Sequence, residues 1–121
     1  RNGFIATPQY WAPEQITRYV NTKEQIYAFT NIYALGITFY ELLTGNNPFD
    51  TPTEVLTLKK QMTESLPNDS RIPHKLMQVL WQATEKYQYK RYQTALEFKT
   101  AIEQAMLPQK TLWERIKAIF M

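Results

Sequence analysis

The chain has 121 residues, 44% of them hydrophobic and 21% charged, which predicts one globular domain that buries roughly two thirds of its unfolded surface. Fourteen basic and eleven acidic residues give a net charge of +3, but they are scattered rather than gathered into the stripe a phosphate backbone needs, so nucleic acid is not an expected partner. There is no cysteine for a disulfide framework or thiolate metal site, no apolar run near the ~20 residues that cross a bilayer and no signal-peptide layout, and the expectation is a soluble, cytoplasmic protein.

In chain order, the first feature is IATPQYWAPEQ, Ile5 to Gln15, with two prolines, an aromatic pair and no charge before Glu14. That is a specific loop where a domain usually has a frayed end. The clearest helix follows in FTNIYALGITFYELLTG. Thr30 or Asn31 can cap its start, Gly45 can take the left-handed position after its last turn, and Pro48 forbids continuation, which predicts a helix over about 31–44. Ile32, Tyr33, Leu35, Ile37, Phe39, Tyr40, Leu42 and Leu43 cover every face, the pattern of a central helix packed on all sides.

TPTEVLTLKKQMTE predicts a surface helix with Thr51 as cap and Pro52 in its first turn, its apolar side formed by Val55, Leu56, Leu58 and Met62. After the turn-rich LPNDSRIP, PHKLMQVLWQATEKY places Leu76, Met77, Leu80, Trp81 and Ala83 at helical spacing. YQTALEFKTAIEQAML repeats the pattern through Ala95, Leu96, Phe98, Ala101, Ile102, Ala105 and Met106 until Pro108 closes it. KTLWERIKAIFM then sets Leu112, Trp113, Ile116, Ile119 and Phe120 against Glu114, Arg115 and Lys117, an amphipathic tail. No period-two strand pattern appears, so the fold class is all-α.

The chemistry is bounded by what is missing. Gly3, Gly36 and Gly45 are the only glycines, too few and too dispersed for a phosphate-cradling loop. The single histidine, His74, is expected at the surface in the first turn of a helix. With only Asp50 and Asp69 as aspartates, both in loops, neither a metal triad nor a nucleophile with its base can be assembled.

Three stretches carry a family resemblance. TPQYWAPEQ resembles the end of the activation segment of Ser/Thr protein kinases, with its Ala-Pro-Glu signature. NIYALGITFYELLTGNNPF resembles the central helix of the kinase large lobe, usually written Asp-Ile-Tyr-Ser-Leu-Gly, and the loop after it. KRYQTALEF resembles the arginine-containing turn and last helix of that lobe. These motifs stand in family order over residues 4–106 and are most similar to bacterial-type kinases.

The resemblance implies a helical subdomain of the kinase C-lobe, a central buried helix at 31–44 with about four further helices. Residues 1–28 would be the end of the activation segment and a following loop, 29–107 the helical subdomain, and 108–121 the tail helix. It further implies that Glu14 pairs with Arg91, the alternative being that both are solvated. Thr7, Pro8, Tyr10 and Trp11 would bind the substrate segment after the phosphorylated residue, the alternative for Tyr10 and Trp11 being packing against the central helix.

Two positions depart from the family pattern. Ala6 replaces a glycine, and Asn31 replaces the aspartate that anchors the catalytic loop to the central helix, offering one amide oxygen and no charge. Asn31 is either a weakened anchor, as in a degenerate kinase, or a tolerated helix-capping swap. The glycine-rich loop, ATP-contacting lysine, catalytic-loop Asp and Asn, and Asp-Phe-Gly segment would all precede Arg1. The chain itself is thus expected to hold no ATP and no magnesium, both implied only for a full-length parent, and to lack phosphotransfer.

The expected function is therefore a C-lobe fragment of a Ser/Thr kinase that docks protein substrate or partner. Its own partners would be the missing N-lobe and catalytic loop, another chain, or a second copy, since the central helix should expose apolar surface. A kinase-derived, non-catalytic scaffold is one alternative. Another is a helical module whose tail, residues 110–121, lies on a membrane surface.

Overall fold

A computed structural model describes residues 8–18, 28–107 and 119. The described residues form five α-helices and two 3-10 turns, with no strand among them: a 3-10 turn at Pro8–Tyr10, α1 at Pro13–Arg18, α2 at Ala28–Thr44, α3 at Glu54–Thr63, α4 at His74–Ala83, a second 3-10 turn at Gln88–Lys90, and α5 at Ala95–Met106. The central helix thus has four further α-helices around it, as the all-α expectation required. None of the described helices is long and apolar enough to cross a membrane.

Local chemistry sets where these helices begin and stop. Pro13 opens α1, where its missing N–H costs nothing, and the Gln15 side chain reaches back to accept the Ala12 N–H at 3.0 Å, the reciprocal half of a capping box. Thr53 Oγ1 accepts from Leu56 N–H to cap α3, and Thr94 Oγ1 accepts from Glu97 N–H to cap α5. Gly45 ends α2 with φ of +77° and donates its N–H to Glu41 O at 2.7 Å, a left-handed position that glycine enters without strain.

Two expected boundaries are corrected. The central helix begins at Ala28 rather than 31, and Thr30, instead of capping it, is buried in its first turn with its hydroxyl on Glu14. The next helix is capped by Thr53, not Thr51. Thr51 Oγ1 is spent on Thr53 O at 2.6 Å, and Pro52 falls before the cap.

The core lies between α2, α4 and α5. Ile32, Tyr33, Ile37 and Tyr40 of α2 meet Leu76, Met77, Leu80 and Ala83 of α4, with Phe98 entering from α5. Gly36 makes the crossing close: a Cβ there would stand 2.7 Å from Thr84 Cγ2 and 3.1 Å from Ala83 Cβ. Phe49, Leu66 and Ile72 fill the core from the connecting loops. The 64–73 connector is tied down by Tyr40 Oη donating to Pro67 O at 2.9 Å and Trp81 Nε1 donating to Leu66 O at 2.8 Å.

The packing pattern departs from expectation twice. The central helix is not packed on all sides, which its periodicity alone suggests, but exposes apolar surface as the resemblance implies: Leu35, Phe39, Leu42 and Leu43 are exposed, Leu42 by 75%. The inner side of α3 is polar rather than apolar. Thr57 and Gln61 are buried while Val55, Leu56 and Met62 face outward, because this helix packs on the Pro8–Tyr10 turn, whose carbonyls need donors.

Candidate functional site

The segment from Pro8 to Glu14 is held at each of its turns. Trp11 N–H donates to Pro8 O at 3.1 Å and closes the 3-10 turn. Gln61 Nε2 of α3 donates to the same Pro8 carbonyl at 3.2 Å, and Asn47 Nδ2 donates to Gln9 O at 3.3 Å. Tyr10 Oη donates to Glu41 Oε1 of α2 at 2.5 Å. That bond to a carboxylate, reinforced by burial, raises the Tyr10 phenol above its usual value.

At the far end of the segment, Glu14 meets Arg91 across 77 positions of sequence. Arg91 Nη1 donates to Glu14 Oε2 at 2.6 Å and Nη2 to Oε1 at 2.8 Å, the bidentate fork that suits guanidinium to carboxylate. The remaining N–H groups go to carbonyls: Nε to Glu85 O at 2.7 Å, Nη1 to Phe29 O at 3.1 Å and Nη2 to Lys86 O at 3.3 Å. All five guanidinium donors are therefore satisfied. Thr30 Oγ1 adds a bond to Glu14 Oε2 at 2.7 Å. Burial alone would raise the Glu14 carboxyl, but the Arg91 fork and the Thr30 hydroxyl outweigh it, and the net shift is downward.

Between these ends lies an aromatic and polar seam. The Arg91 guanidinium stands 4.9 Å from the Tyr33 ring centroid, a stacked cation over an aromatic face. Tyr33 Oη donates to Gln61 Oε1, so the residue that faces Arg91 also orients the side chain that holds Pro8. Desolvation drives the Tyr33 phenol far above its ordinary value.

The structure places the sequence-derived residues as follows. Pro8 and Trp11 are buried, Trp11 with 8% exposure, and Tyr10 is half-buried against α2. Glu14 and Arg91 come together; Asn31 is exposed on the first turn of α2. Thr7 lies outside the described residues, as does the helix expected over 108–121 apart from Ile119, which is helical and exposed. His74 is exposed at the first position of α4.

Sequence reasoning did not single out Glu41, Asn47 or Gln61, and it gave Thr30 the role of a cap rather than of a donor to Glu14. For Gln61 a signal existed: Thr57 and Gln61, one helical turn apart, are polar positions that share a face, and polar residues of that kind are buried only with partners.

A family model for the protein kinase domain matches residues 1–106. The chain is 32% identical over 117 residues to serine/threonine-protein kinase PrkC of Bacillus subtilis, which covers 90% of this chain and 17% of that protein. It is 34% identical over 105 residues to the probable serine/threonine-protein kinase PknB of Lactococcus lactis, covering 84% and 16% of the two chains. With serine/threonine-protein kinase PknB of Mycolicibacterium smegmatis the identity is 33% over 99 residues, covering 78% and 15%.

Proposed function

The chain belongs to the protein kinase family, of which it spans part of a kinase domain, and from that premise we propose that it supplies a docking surface for a Ser/Thr protein substrate. The observation that carries this reading is the fixing of the Pro8–Glu14 segment by Gln61, Asn47, Glu41 and Arg91. A loop held at that many points presents its backbone and the half-buried Gln9 and Tyr10 in one conformation, so little ordering entropy remains to be lost on binding.

On this reading phosphotransfer would belong to residues other than those described. ATP and magnesium need a backbone cradle and clustered carboxylates. Gly36 is instead packed inside α2 and Gly45 terminates it. The Asp69 carboxylate is taken by Arg71 at 2.7 and 2.9 Å, and no group of three potential metal ligands occurs among the described residues. These residues do not fit either group.

The test has two arms. A fluorescent Ser-containing peptide titrated with the 121-residue chain should give a saturable rise in anisotropy; a flat titration refutes docking. Phosphotransfer with magnesium-ATP should appear when the chain stands in its complete reading frame and not in the 121 residues alone. Silence in both would favour a kinase-derived scaffold, and activity in the isolated chain would overturn the proposal.

A further inference from the structure

Lys86, in the connector after α4, has more partners than its position explains. Its Nζ donates to Tyr33 Oη at 2.9 Å and stands 4.7 Å from the Phe49 ring centroid and 5.3 Å from that of Tyr33. From Tyr33 the path continues to Gln61 Oε1, and from Gln61 Nε2 to the Pro8 carbonyl. One unbroken line of hydrogen bonds thus runs from a lysine after α4, through the Tyr33 hydroxyl of α2 and Gln61 of α3, to the Pro8 carbonyl.

The direction of that line follows from proton counting. An ammonium has donors and no acceptor, and a phenol has one proton to give. Charged Lys86 can only donate to the Tyr33 oxygen, so the phenolic proton is free to go to Gln61 Oε1. With its oxygen committed there, the Gln61 amide turns its NH₂ toward Pro8 O. Each bond is oriented by the one before it, and bonds so aligned polarise and strengthen one another.

We propose that Lys86 is a positioning residue for the Pro8–Trp11 loop, its charge fixing the direction of the relay through Tyr33 and Gln61 that ends on the Pro8 carbonyl. Its weight for docking rests on the function proposed above, whereas the order of the loop does not. A neutral Lys86 gains a lone pair, becomes a second acceptor for the Tyr33 proton and competes with Gln61. The charged groups that bear on it are Arg91, which disfavours its charge, and Glu64 and Glu85, which favour it, while Tyr33 faces it from α2. Burial first, and then Arg91, pull its amine down to about 8.

Amide hydrogen exchange resolved by NMR on the 121-residue chain tests this, reading the Trp11 N–H that bonds Pro8 O against the Met77 N–H that bonds Pro73 O in the core. In Lys86→Met, Trp11 should exchange roughly two- to tenfold faster, the range expected for one net hydrogen bond, with Met77 unchanged. Lys86→Arg, which also only donates, should restore protection. In Tyr33→Phe, Trp11 protection should not depend on residue 86. Unchanged Trp11 protection in Lys86→Met, or equal loss at Trp11 and Met77, would overturn the proposal, whatever the peptide titration shows.

Discussion

Replacing Arg91 by alanine should be among the most damaging single changes in this protein. The side chain is 0% exposed and its partner Glu14 only 14% exposed, so truncation leaves a carboxylate in a desolvated site with the Thr30 hydroxyl as its remaining side-chain donor. Removing one partner of a buried pair costs about 3–5 kcal/mol. The carbonyls of Phe29, Glu85 and Lys86 lose a donor as well. Against a total stability of about 5–15 kcal/mol for a domain, that loss takes roughly a fifth to all of it. Glu14→Gln should cost less, about 1.5–3 kcal/mol, because the guanidinium keeps its three carbonyl bonds and an amide oxygen can still accept one N–H. The assay is urea denaturation of parent and both variants, followed by the helical circular dichroism signal. The Glu14 carboxyl is lowered from its ordinary 4.5 in the folded chain. Its contribution should therefore be complete above that value and disappear as pH falls through the folded one, and the pH slope in the acid limb should shrink in Glu14→Gln. Equal midpoints for parent and Arg91→Ala, or a larger loss in Glu14→Gln than in Arg91→Ala, would refute the reasoning.

Two further outcomes follow from the packing and the caps. In Gly36→Ala the new methyl meets Thr84 Cγ2 at 2.7 Å, with Thr84 held in place by its hydroxyl on Leu80 O at 2.7 Å; overpacking of about 1–3 kcal/mol should exceed the helix-propensity gain of about 1 kcal/mol, and a thermal melt showing a rise in Tm would count against the close crossing. Thr94→Ala removes the acceptor for Glu97 N–H and should cost about 0.5–2 kcal/mol in urea titration, with Thr94→Ser retaining most of it; equal losses in the two would show that the hydroxyl is not what caps α5.

The sequence made the helices legible because their stops are written in single residues. Gly45 acts locally, and its role could be read without knowing what the helix packs on. The inner side of α3 could not be read that way. Val55, Leu56 and Met62 look like a packing face until the neighbour is known to be a loop with open carbonyls, at which point Gln61 is the better inward residue. The start of α2 failed for a related reason: Thr30 has the chemistry of a cap, but a carboxylate from the distant Glu14 claimed its hydroxyl. The pairing of Glu14 with Arg91 entered by resemblance alone, since nothing in either neighbourhood points to a partner 77 residues away. The exposure of Leu35, Leu42 and Leu43 on α2 is expected from the resemblance and not from the pattern, because an apolar residue at every turn does not say how many neighbours are present to cover them.

The span between Glu14 and Arg91 also fixes an order of events. Joining two points 77 residues apart in a flexible chain carries a closure entropy of about 4 kcal/mol before any constant, more than most ion pairs return. The fork can form only after α2 and α4 have already brought its halves near each other, and it is undone by whatever separates them. Loop geometry and global stability are consequently coupled: a substitution deep in the α2–α4 crossing will present itself as a loss of the docking proposed for this loop. Any comparison of docking between variants has to be made at matched fractions of folded chain.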